Sequence, residues 1–156
     1  MIVNIDIDDE AWDPLLPDAA DCARRAIAAA AAQLGGDFKN QSAEIVLATD
    51  DEVTELNGQW RGKPKPTNVL SFPAAHGIVL PPGEPEPLGE IILAAGVVAR
   101  EAADQGKPLE HHFTHLVVHG FLHIMGYDHE NDGEAEQMES LEKEILANLG
   151  VPNPYE

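Results

Sequence analysis

Six of the chain's seven histidines fall between His111 and His129. Within that stretch, His119, His123 and His129 follow the spacing H-x-x-x-H-x-x-G-x-x-H, with Gly126 as the fixed glycine. Residues four apart on a helix project from one face, one turn apart. His119 and His123 can therefore aim both imidazoles at one point. Gly126 supplies the left-handed backbone that ends a helix without a Cβ penalty, so the chain can turn and bring His129 back to the same point. Three neutral nitrogens with a fourth tetrahedral position open make a catalytic zinc site, whereas a closed structural site usually recruits cysteines. The only cysteine is Cys22, far away in sequence. Imidazole also suits copper, nickel and iron. A lone histidine is ordinarily a packed core residue. Given one histidine, the other three fixed positions arise by chance about once in ten thousand at average residue usage.

The same spacing occurs in metzincin proteases, which place a glutamate after the first histidine as general base. Here that position is Gly120, so no proton acceptor stands there and the peptidase mechanism does not transfer. His111, His112 and His115 lack the spacing that supports the other three. His115, four before His119, can face the same side as an outer partner. Asp128, next to His129, can orient a ligand through its second ring nitrogen, act as acid or base, or cap the turn through its own backbone, and it is not counted among the catalytic residues.

Formal charge is −19, from 9 basic and 28 acidic residues. Such a charge disfavours a protein that wraps nucleic acid with its whole surface, because phosphate binding needs Lys and Arg. It leaves room for one local basic strip, and Arg61, Lys63 and Lys65 lie within five residues. Taken alone, they read as a solvated turn. A single cysteine cannot form an internal disulfide and fits a reducing cytosol. The acidic start, Met1 to Glu10, argues against a secretory leader. No apolar run approaches the ~20 residues of a membrane span.

The elements that must position these residues follow from periodicity. Met1 to Ile7 alternates as a strand. Asp18 to Leu34 is an Ala-rich helix stopped by Gly35-Gly36. Ala43 to Ala48 reads as a strand, and Thr49 with Glu52 as a capping box. The helix that follows sets Val53, Leu56 and Trp60 on one face. Asn68 to Phe72 is a strand closed by Pro73. Residues 74 to 87, with four prolines and two glycines, form a loop whose length suits a lid. Gly89 to Ala94 is a strand, Val97 to Gln105 a helix, and Leu109 to Met125 a longer helix broken by Gly126. Asp132 caps a last helix whose buried stripe is Met138, Leu141, Ile145 and Leu149. The expectation is one α+β domain over residues 1–156: a small mixed sheet of about four strands flanked by about five helices, the metal site lying on a helix and its following turn.

The run from His119 to His129 resembles the H-G-x-L-H-(aliphatic)-x-G-Y-D-H signature of the YbeY family. Arg61 to Pro73 resembles a second family block, Leu88 to Ile91 a third, and Glu134 to Met138 with Glu142 a fourth. The likeness runs from about Ile45 to Leu149. It implies a single-strand-specific endoribonuclease of ribosomal RNA maturation and ribosome quality control. It also implies one zinc per chain on His119, His123 and His129, and a functional arginine at Arg61. The implied partners are ribosomal RNA and the small ribosomal subunit with its proteins, in the bacterial cytoplasm, with no membrane and no DNA. Two positions depart. Pro64 stands where the family commonly has Asp, and Glu90 lengthens the usual Asp by one methylene.

Under that resemblance, Arg61 is a catalytic residue. Its always-charged planar fork matches phosphate oxygens as charge develops. Lys63 and Lys65 become guides for the RNA backbone, a weaker substrate-binding role. The nucleophile is either water at the metal or the RNA's own ribose hydroxyl. Two other functions remain open at this point: a ribosome assembly factor with a structural zinc, and a zinc hydrolase of another substrate class, such as a peptidase or amidase.

Overall fold

The computed structural model describes residues 1–74 and 80–155. Among the described residues, four strands form one sheet: β1 (Ile2–Ile7), β2 (Gln41–Ala48), β3 (Val69–Pro73) and β4 (Glu86–Ala94). Their order is β1-β2-β4-β3, with β1, β2 and β4 parallel and β3 antiparallel on the edge beside β4. Six helices accompany them among the described residues: α1 (Asp9–Trp12), α2 (Ala19–Leu34), α3 (Asp50–Arg61), α4 (Ala95–Asp104), α5 (Leu109–Ile124) and α6 (Asp132–Asn148). The α+β class, the mixed sheet and its four strands agree with the expectation. The one helix not anticipated is α1, a single turn. It is started by Asp8, whose carboxylate accepts from the Ala11 N–H, and four residues are too few to show a period.

Strand alternation divides the core in two. On one face, Ile45, Leu47, Ile91 and Leu93 are buried with α2 and α5 residues such as Ile27, Phe113, Val117 and Phe121. On the other, Ile92 and Ala94 are buried with Ala48, Leu70 and Val53 of α3. Alanine is the strongest helix former, and in α2 it also keeps the buried face small, with Ala19, Ala23, Ala26 and Ala30 fully enclosed. Gly35, at φ 70°, ends that helix.

Local chemistry explains most boundaries. Thr49 and Glu52 form the full capping box of α3. Asp50 at the start of α3 also accepts from the Gly96 and Val97 N–H groups, at 2.9 and 3.1 Å. It thereby satisfies two of the free amides at the start of α4, which has no side-chain cap of its own. In β4 the register slips between Ser42 and Ala43, where Leu88 is passed over. Gly89 follows, and a Cβ there would meet the Phe72 carbonyl oxygen at 2.5 Å and Ile124 at 3.0 Å. Only glycine lets the strand pass this close to the end of α5.

Several boundaries and one face need correction. The strand β4 begins at Glu86 and not at Gly89, because its first residues continue to pair with β2 despite Pro87. Residues 74 to 87 are therefore only partly a loop, and residues 75–79 of that segment lie outside the described residues. Asn131, one residue before Asp132, caps α6 by accepting from the Glu134 N–H at 2.9 Å. Trp60 is 70% exposed. The inward face of α3 keeps Val53 and the partly buried Leu56 but takes Asn57 in place of Trp60, because the Asn57 side chain bonds the Lys65 carbonyl at 3.0 Å. Among the described residues, no helix is long and apolar enough to cross a membrane.

Candidate metal centre

Helix α5 lies across the sheet with Phe113, Val117 and Phe121 fully buried. Its last turns carry His119 and His123. The end of α5 is closed by two reciprocal bonds: the Gly126 N–H to the His123 carbonyl at 3.0 Å, and the Tyr127 N–H to the Leu122 carbonyl at 3.0 Å. Gly126 has φ 99°, the left-handed conformation expected of it. This turn returns the chain, and His129 comes back beside α5. Asp128 fixes the return: its Oδ1 accepts from the His129 N–H at 2.7 Å and lies 3.3 Å from His129 Nδ1. The orienting and turn-capping roles suggested for Asp128 are thus combined in one carboxylate.

One potential ligand atom from each of His119, His123 and His129 lies within 4.8 Å of the others. Ring centroids are 4.6 Å apart for His119–His123, 5.2 Å for His123–His129 and 5.6 Å for His119–His129. The rings are steeply inclined, at 66–86°, so they converge and do not stack. No fourth side chain joins these three in the cluster among the described residues. The His129 side chain is 56% exposed, which leaves the centre open on that side.

Three features of this chain fit a divalent ion here. Burial, followed by the neighbouring His119, holds the His123 pKa below its ordinary value, so the ring is kept in the neutral form that ligates. His123 also sits in the last turn of α5, where the free carbonyl ends carry partial negative charge that favours a cation. Finally, His119 Nδ1 is 2.5 Å from Glu142 Oε1. That bond orients the ring and leaves Nε2 for the metal, the usual carboxylate–histidine–metal arrangement.

Glu142 is the residue that sequence reasoning missed as a site component. It is completely buried on the inward face of α6, between Met138 and Ile145. Burial alone would raise its pKa, but hydrogen bonds from His115, His119 and Tyr155 outweigh it and hold the carboxyl at about 2. The Tyr155 hydroxyl donates to Oε2, and burial with this bond pushes the phenol pKa well above its usual value. His115 Nε2 lies 3.6 Å from the same oxygen, making it an outer partner. His112 is turned elsewhere, with Nε2 3.0 Å from Glu101 Oε1. A signal for Glu142 did exist. An acid at i+4 from Met138 and i−3 from Ile145 lies inside an apolar stripe, and buried acids are rare unless paired.

A polar cleft of about 600 Å³ adjoins His119. Asn68, Glu101, Lys107, His112, His115 and Tyr155 are among its lining residues. Arg61, Lys63 and Lys65 are exposed and do not line it. Arg61 ends α3, and Gly62 at φ 67° caps it in the left-handed conformation. The parts of the second block that reach the cleft are Asn68 and Val69, and the Asn68 side chain donates to Glu101 at 3.0 Å. Pro64 packs over Gly58, where a Cβ would come within 3.3 Å of the proline ring. Glu90 lies one residue from Ile91 in β4, on the face away from α5, and is absent from the histidine cluster.

Gly120 has a structural reason. A Cβ there would sit 2.8 Å from the Ile91 methyl, so this position faces the sheet and not the metal centre. Ile91 is β-branched and fully buried and can yield little. Gly120→Ala should destabilise the protein by about 1–3 kcal/mol through overpacking, measured by urea unfolding. An unchanged midpoint would contradict this packing.

The sheet and site define a small α+β protein whose three-histidine centre, able to hold a metal ion, opens beside a polar cleft. Comparison with known proteins narrows this class. The family model described as Endoribonuclease YbeY matches residues 6–150. The Endoribonuclease YbeY of Rhodopseudomonas palustris is 53% identical over 131 residues, 84% of this chain and 69% of the relative. That of Azorhizobium caulinodans is 48% identical over 157 residues, 99% and 96% of the two chains. A Thermotoga maritima protein solved in solution shares 25% identity at a TM-score of 0.57, covering 98% of this chain and 94% of its own. The chain belongs to the YbeY family.

Proposed function

We propose that this protein is a metal-dependent endoribonuclease that cleaves single-stranded RNA during ribosomal RNA maturation. The observation that carries it is the convergence of His119, His123 and His129 beside an open cleft, in a chain of this family. Zinc is the ion of choice, one per chain, because three imidazoles with no thiolate or fourth ligand beside them among the described residues suit it. When bound, it supplies Lewis acidity that polarises a phosphoryl oxygen and acidifies water.

The protein's own groups do the rest. Glu142 holds the His119 ring in one tautomer and one orientation. Asp128 restrains His129. Arg61 binds the scissile phosphate through its guanidinium as negative charge grows, and Lys63 and Lys65 hold the flanking backbone. The small ribosomal subunit is the proposed partner, and its basic proteins complement a chain of charge −19. The cytoplasm is the proposed location.

The test is an assay on single-stranded RNA, with DNA of the same sequence and casein as controls. Only the RNA should be cut. Arg61→Ala should keep its zinc and lose roughly a hundred-fold or more in cleavage, the typical cost of removing one preorganised donor to a developing charge. Unchanged cleavage would remove Arg61 from the site.

A further inference from the structure

The two tryptophans are treated in opposite ways. Trp12 is fully buried, and its indole N–H donates to the Ala48 carbonyl at 2.9 Å. Trp60 is 70% exposed in the last turn of α3. Its indole stands immediately before Arg61, Lys63 and Lys65, which hold three of the nine basic residues of the chain. Four of the six other basic side chains already have a polar partner, and Arg24 donates to the Val3 carbonyl at 2.8 Å. Arg25 faces Glu110 at 3.7 Å, Arg100 pairs with Asp50 at 3.1 Å, and Lys107 donates to the Pro154 carbonyl at 3.1 Å.

The segment that carries these groups is braced. Gly62 ends α3 in the left-handed conformation, at φ 67°. The Lys63 N–H returns to the Asn57 carbonyl at 3.2 Å. The buried Asn57 side chain holds the Lys65 carbonyl at 3.0 Å, and Pro64 rests on Gly58. An indole and three cations are thus presented on one ordered helix end. Among the described residues, the other exposed large apolar side chains, Ile2, Leu15 and Tyr155, belong to other parts of the chain, so Trp60 joins no contiguous apolar patch there of the kind that docks a protein. A lone aromatic face among cations matches a single-stranded nucleic acid. Bases stack on the ring in a sequence-tolerant way while the cations hold phosphates. Because the rest of the surface is strongly acidic, this strip is where a polyanion gains attraction.

We propose that Trp60 is a base-stacking platform, which with Arg61, Lys63 and Lys65 forms a binding subsite for single-stranded RNA. This rests on the endoribonuclease reading and adds to it a residue that grips an unpaired base. The subsite favours single strands, because a base within a duplex has no free face to offer.

The test is a fluorescence titration of the whole protein with a 2′-O-methyl oligoadenylate, which binds as RNA does but lacks the free 2′-hydroxyl. Indole emission should be quenched on binding, and Trp60→Phe, which keeps a ring, should retain most of the affinity. Trp60→Ala and Trp60→Leu should lose the quenching and weaken binding about ten-fold or more. The substitutions are at an exposed position, and circular dichroism checks that they fold. Equal affinity of the wild type, Trp60→Ala and Trp60→Leu would overturn the proposal. So would affinity retained by Leu but not by Ala, because it would replace stacking by simple apolar contact. A paired oligonucleotide of equal length that quenches as strongly would overturn the single-strand preference. The two levels separate cleanly. RNA cleavage by a wild type whose binding ignores Trp60 removes the stacking platform alone. Trp60-dependent binding without cleavage supports the platform and removes the nuclease.

Discussion

Alanine at His119 or at His123 should lower bound zinc well below one ion per chain and take RNA cleavage to background. Both rings project from consecutive turns of α5, and each supplies a third of the nitrogen ligands in the cluster. Two remaining imidazoles form a weaker site, because the centre has no fourth protein ligand among the described residues to compensate. Folding should survive the change. The apolar core lies between α5 and the sheet, built on Phe113, Val117 and Phe121, and His119 and His123 are only partly buried at its margin. Metal analysis after dialysis, together with circular dichroism, reads both quantities. Full metal content in both variants would refute the ligand set. Chelation of the wild type should behave likewise, stopping cleavage without unfolding. A protein whose zinc was structural would instead lose its fold with the ion.

The second large effect concerns Glu142. Glu142→Gln keeps the shape but removes the charge that orients His119, and zinc affinity should fall about 10–100-fold, as is typical when such a supporting partner is lost. Glu142→Ala should do the same and also destabilise the fold by about 3 kcal/mol, since it strands the His119 ring N–H and the Tyr155 hydroxyl without their acceptor. Competition with a chromophoric chelator measures the first, and urea unfolding the second. If both variants bound zinc as tightly as the wild type, the carboxylate would have no part in the centre. Comparing the two also separates charge from packing, because only the alanine leaves a cavity.

How much of this was legible in the sequence depends on the range of the interactions involved. The histidine spacing was legible because a helix and one glycine turn convert it directly into geometry, and the structure does bring those three rings together. The capping box at Thr49 and the Gly35 stop were equally local. The register of β4 was not, since Gly89 answers to Phe72 and Ile124, which are distant in the chain. Nor was Trp60, whose helical period pointed inward while the Asn57–Lys65 bond claimed that side of α3. Glu142 was half legible. Its place in an apolar stripe could be seen, but its partners His119 and Tyr155 lie 23 and 13 residues away, beyond the reach of any periodic argument. The short turn of α1 had too few residues to announce itself. Gly120 illustrates a different limit. Its lack of a side chain was plain, yet the reason for it, the approach of Ile91, belongs to tertiary packing.

X-ray absorption spectroscopy of the zinc-loaded protein tests the coordination most directly. The spectrum should show a single zinc per chain ligated by three imidazole nitrogens at about 2.0–2.1 Å, with no sulfur and no carboxylate from the protein, and His129→Ala should lose one nitrogen scatterer. A spectrum showing four protein ligands, or one unchanged by that substitution, would contradict the three-histidine centre.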